Sequence, residues 1–75
     1  MSTDGSTPVS CVEQIGQTAG LVWRALNDQG PQSLTKLVKA VDAPRDMVLQ
    51  AVGWLAREDK VGIEDTKRGR MISLR

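Results

Sequence analysis

Two helix-patterned segments separated by only Asp42 and Ala43 constrain this chain more than any other feature of it. Upstream, Leu34, Leu37, Val38 and Val41 recur at i, i+3, i+4 and i+7, with Ser33 placed to act as N-cap. Downstream, Pro44 has a fixed φ and no N–H to lose, which suits a first helical turn, and Val48, Ala51, Val52 and Leu55 form one apolar stripe with Met47 and Trp54 at its margins. A link this short makes the two helices cross at a steep angle. The pattern predicts helices over 34–41 and 44–58.

The flanks complete the plan. Val12, Ile15, Ala19, Val22, Trp23 and Leu26 lie on one stripe at helical spacing, with Glu13, Gln14, Gln17 and Arg24 opposite, so a helix is expected over 12–27. Asn27-Asp28-Gln29-Gly30-Pro31 ends it, because Gly30 can take positive φ and Pro31 cannot continue a helix. Only a short bridging strand fits between Pro31 and Leu34. At the other end, Val61 and Ile63 alternate with Gly62 and Glu64, and Ile72 and Leu74 repeat the alternation after Lys67-Arg68-Gly69-Arg70. Strands over 61–65 and 71–74 should pair as a hairpin, with Gly69 supplying the left-handed residue of its loop. Helix, short strand, helix, helix, strand, strand is the order of a winged helix-turn-helix, an α+β and mostly helical fold whose wing is the hairpin.

A chain of 75 residues holds one domain, and residues 1–10 are polar or small apart from Met1, Pro8 and Val9, so they read as a disordered tail ahead of a domain over 11–75. A domain this small folds with little margin, and a homodimer is a plausible source of extra stability. Gly16 and Gly20 each cost about 1 kcal/mol inside a helix relative to Ala, which implies that another backbone packs close to them. Packing within the monomer is preferred there over a dimer seam. Trp23 and Trp54, the only aromatic residues, lie on or beside apolar stripes and read as core anchors rather than stacking platforms for bases. With one cysteine, Cys11, no basic and apolar leader and no apolar run of membrane-spanning length, the expected location is the cytoplasm, away from membranes.

Catalysis finds little to stand on. His and Tyr are absent, Cys11 has no histidine partner, and the adjacent acids Glu58-Asp59 and Glu64-Asp65 read as ordinary solvated carboxylates. The scarcity of ligands argues against a metal site, and the scattered glycines argue against a phosphate loop or other cofactor cradle. The expectation is a protein that is not an enzyme and carries no cofactor.

Charge placement points instead to nucleic acid. Residues 34–57 carry Lys36, Lys39, Arg45 and Arg57 against Asp42 and Asp46, a net of +2. Lys67, Arg68 and Arg70 add +3 on the wing, while the remainder of the chain sums to −4. The positive charge thus sits on the elements that a winged helix turns toward duplex DNA. Phosphate contacts from Lys36, Lys39, Arg45, Lys67, Arg68 and Arg70 would release at most about six counterions, enough for modest, salt-sensitive affinity. On the exposed face of the third helix, Gln50 is suited to adenine and Arg57 to guanine. That same face carries Leu49 and Gly53, an apolar residue beside a glycine, which suits a protein partner at least as well. Two readings therefore stand: a DNA-binding protein, used in transcription regulation, and a protein-interaction or dimerisation module without DNA binding.

Ile15-Gly16-Gln17-Thr18-Ala19-Gly20-Leu21-Val22-Trp23, Ser33-Leu34-Thr35-Lys36-Leu37 and Gly53-Trp54-Leu55-Ala56-Arg57-Glu58-Asp59-Lys60-Val61 together resemble a family of small prokaryotic winged helix-turn-helix domains of unassigned function. The resemblance spans roughly residues 11–74 and implies the fold without implying a target. Where many winged helices place Gly after the second helix and Ser or Thr at the start of the third, this chain has Asp42, which tolerates a turn, and Pro44.

Overall fold

The computed structural model describes residues 10–75, and the expected disorder of residues 1–9 lies outside them. Helix α1 spans Cys11–Gln29, strand β1 Gln32–Ser33, helix α2 Leu34–Ala40, helix α3 Arg45–Arg57, strand β2 Val61–Thr66 and strand β3 Gly69–Leu74. All three strands join in one antiparallel sheet of order β1-β3-β2. The short bridge predicted after Pro31 is β1, which pairs Gln32 with Ile72 and Ser33 with Met71.

Local chemistry explains each boundary. Ser10, grouped with the leading tail by composition, is the N-cap of α1, its Oγ accepting from the Glu13 N–H at 3.1 Å. Gly30 ends α1 at φ 81° and donates its N–H to the Leu26 carbonyl. Ser33 caps α2 by accepting from the Lys36 N–H at 3.2 Å, as its position predicts. Pro44 stands one residue outside the helix it was expected to open. Its ψ of 145° is extended, and its carbonyl accepts the Val48 N–H at 3.0 Å. The turn between α2 and α3 uses no left-handed residue, so the tolerance of Asp42 for that conformation goes unused. Asp59 does take it, at φ 64°, where the chain leaves α3 for β2.

The core is a single cluster in which Val22 and Leu26 of α1, Leu37 of α2, Val48, Ala51, Val52 and Leu55 of α3, and Val61 and Ile72 of the hairpin meet. Two polar side chains are buried beside them, and each is satisfied. Thr18 Oγ1 donates to the Gln14 carbonyl at 2.8 Å, and Gln32 Nε2 to the Ala25 carbonyl at 3.3 Å. Gln32 thereby ties the bridging strand to α1.

The apolar stripe of α1 is less buried than its periodicity suggests. Burial begins at Thr18, and Val12 is exposed because the first turns of α1 reach beyond the core. Two expectations fail on this helix and on α3. A Cβ built at Gly16 or at Gly20 would meet nothing within 4 Å, so among the described residues no other backbone packs against either. Trp23 and Trp54 are 42% and 43% exposed and are not core anchors. Both lie outside the buried cluster, which α1 and α3 build from Ala19, Val22 and Leu26 and from Val48, Ala51, Val52 and Leu55.

A candidate nucleic-acid interface around the wing

The hairpin divides the candidate residues into two groups. Successive side chains of β3 point to opposite faces of the sheet, so Arg70 and Ile72 look one way and Met71 the other. On the Met71 side, Lys36 and Lys39 of α2 and Arg68 of the wing line one concavity whose floor includes Gln32 and Ser33. On the Ile72 side, Arg45, Leu49 and Gly53 of α3 face Ile63 and Arg70 across a second concavity. Neither grouping is visible along the chain. Each is made by β3 running between β1, which leads into α2, and β2, which follows α3.

Of the eight cations and amides considered from sequence, Lys36, Lys39 and Arg68 thus converge, and Arg45 and Arg70 border the other groove. Lys67 stands exposed in the turn, and Gln50 and Arg57 are exposed on α3 without lining either concavity. The wing itself is stiffened locally. Thr66 Oγ1 donates to the Gly69 carbonyl at 2.7 Å and accepts from the Arg68 N–H at 3.2 Å, while Gly69 takes φ 111°.

Electrostatically the basic residues are not equivalent. Among the described residues the ion pairs are Arg70 with Asp65 and Arg75 with Asp59. Arg70 Nε lies 3.0 Å from Asp65 Oδ1, a cross-strand pair on the groove side of the hairpin. Asp65 and Asp59 are solvated acids, 80% and 74% exposed, as expected, and each also pairs with an arginine. Lys36, Lys39, Arg45, Arg57, Lys67 and Arg68 have no carboxylate partner among the described residues.

The apolar pair singled out on α3 is half as expected. Gly53 is exposed, with nothing within 4 Å of its would-be Cβ, whereas Leu49 is half-buried under the overhanging hairpin. Ile63, on β2, is 45% exposed and completes the apolar floor beside it. Strand alternation placed Ile63 on the core side, but β2 extends past the end of the packed core at this position.

A family model for "Winged helix-turn-helix domain (DUF2582)" matches residues 11–74. The chain belongs to that family. It is 37% identical over 59 residues to the uncharacterized protein MJ1608 of Methanocaldococcus jannaschii, a match that covers 73% of this chain and 83% of the relative. The solution NMR structure of protein BT2368 from Bacteroides thetaiotaomicron superposes with a TM-score of 0.73 at 39% identity, over 81% of this chain and 74% of that one. The winged-helix architecture read from element order is thus the architecture found. No helix among the described residues is long and apolar enough to cross a membrane.

Proposed function

We propose that this winged helix binds duplex DNA and serves in transcription regulation, gripping phosphates with α2 and the wing while α3 lies along the major groove. One observation carries the proposal. Lys36 and Lys39 meet Arg68, some thirty residues away along the chain, around one concavity, and no carboxylate among the described residues neutralises them. A hairpin lodged in a minor groove has a phosphodiester strand on each side. Lys36, Lys39 and Arg68 would meet one strand, with Arg45 and Arg70 turned toward the other. Gln50 and Arg57 are then the side chains of α3 left free to reach base edges. The test is a titration of mixed-sequence duplex DNA at two salt concentrations, read by fluorescence anisotropy. Binding that weakens steeply with salt is expected, and no binding at low ionic strength overturns the reading.

A second reading is favoured by the floor of the Ile72-side groove. Leu49, Gly53 and Ile63 make it apolar, which suits an apolar segment of a protein partner better than a phosphate chain. On that reading the chain is an interaction module, and charge reversals in the wing leave its partner binding unchanged.

A further inference from the structure

The open glycines of α1 belong to a surface on the far side of α3 from the wing groove. Gly16, Gly20 and Trp23 of α1 and Trp54 of α3 line the apolar part of a groove of about 580 Å³, whose remaining wall is charged, made by the Arg75–Asp59 ion pair and Lys60. The two indoles expose apolar area that the core does not use, and the glycines leave bare backbone beside them. We propose that this groove is the seam of a homodimer in which α1 packs antiparallel against α1 of a second copy.

The occupant follows from self-complementarity. At about 100° per residue, Val12, Gly16, Gly20 and Trp23 share one exposed stripe of α1, and Trp23 stands two turns, roughly 10 Å, beyond Gly16. An antiparallel crossing centred near Ala19 and Gly20 sets Trp23 of each copy over Gly16 of the other, so a single twofold axis fills both notches at once. Helices that meet through glycines approach more closely than usual, which brings the indole onto backbone and against the Trp54 wall. Charge follows the same symmetry. Glu13 and Arg24 lie on one flank of the stripe at opposite ends, and in an antiparallel pair equal flanks face each other. Each Arg24, which has no carboxylate partner among the described residues, then meets Glu13 of the other copy.

Sedimentation equilibrium of the full chain without DNA, over a concentration series reaching the millimolar range, tests the seam separately from the wing. A reversible dimer is expected. Trp23→Ala and Gly20→Leu should each weaken association by about thirtyfold or more, the size of removing a central aromatic anchor or of plugging its notch. Gly20→Leu keeps the test decisive if Trp23→Ala fails to fold, because a Cβ at this position meets nothing within 4 Å among the described residues and Leu favours helix over Gly. Arg24→Glu should weaken the dimer, and Glu13→Lys added to it should restore association. A parent that stays monomeric throughout, a Gly20→Leu protein that dimerises like the parent, or an Arg24→Glu variant that Glu13→Lys does not rescue overturns the proposal.

Discussion

Arg70 Nε donates to Asp65 Oδ1 at 3.0 Å across the hairpin, between residues that face each other in the strand register. Both side chains are largely exposed, so the pair adds little stability, about 0.5 kcal/mol or less. Its consequence is electrostatic. The wing offers DNA two unneutralised cations, Lys67 and Arg68, and a third that must first leave its carboxylate.

The salt dependence of DNA binding should show this inequality. Replacing Lys67 and Arg68 by Ala is expected to reduce the slope of log affinity against log salt by about 2 units, since each cation withdrawn from a phosphate leaves roughly one more counterion on the DNA. Arg70→Ala should reduce it by less than either neighbour does alone, and Asp65→Asn should steepen the parent's slope. Equal effects from all three cations would show that the ion pair does not persist on DNA.

Lys36 and Lys39 provide a check from α2, across the concavity they share with Arg68. Their joint replacement by Ala should reduce the salt slope by about 2 units as well, without sequence preference, because phosphate contacts position a protein without reading bases. Retention of the full parental slope would remove the concavity they share with Arg68 from the binding surface.

Trp54→Ala should destabilise the domain by about 2 kcal/mol, short of the roughly 3 to 5 kcal/mol of a fully buried ring. A melting temperature lower by roughly 10 °C is expected for a domain of this size. Loss of the folded state in thermal or urea denaturation would place the indole in the core after all.

Ser10→Ala should cost about 1 kcal/mol by removing the acceptor for the Glu13 N–H. Faster amide exchange confined to the first turn of α1 is the accompanying signature.

Leu49→Glu, compared with a variant stripped of its phosphate-facing cations, separates the two functional readings. On the groove floor it should repel a phosphate chain and also spoil an apolar interface, so both kinds of binding fall. Combined replacement of Lys36, Lys39, Lys67 and Arg68 by Ala affects only DNA. A partner captured equally well by that quadruple variant but released by Leu49→Glu would sustain the interaction module.

The wrong expectations were those in which a local pattern had to stand for a neighbour. Gly16 and Gly20 suggest close packing from sequence, yet a glycine in a helix does not specify which backbone, if any, lies against it, and none among the described residues does. Trp23 and Trp54 have the hydrophobicity of core residues. Whether such a position is covered depends on what packs beyond it, and here the described residues leave Trp23 and Trp54 42% and 43% exposed.

The helices, their order, the Ser33 cap and the Gly30 and Gly69 turns were all legible along the chain, because helical periodicity, capping and positive φ are properties of a few adjacent residues. The hairpin was legible for the same reason. Which distant residues share a surface was settled by packing alone. Lys36, Lys39 and Arg68 converge because β1 pairs with β3, Arg70 is held because its register sets it opposite Asp65, and Trp23 and Trp54 line one groove because α1 packs on α3. Those proximities depend on burial summed over the whole chain, which no short window of sequence contains.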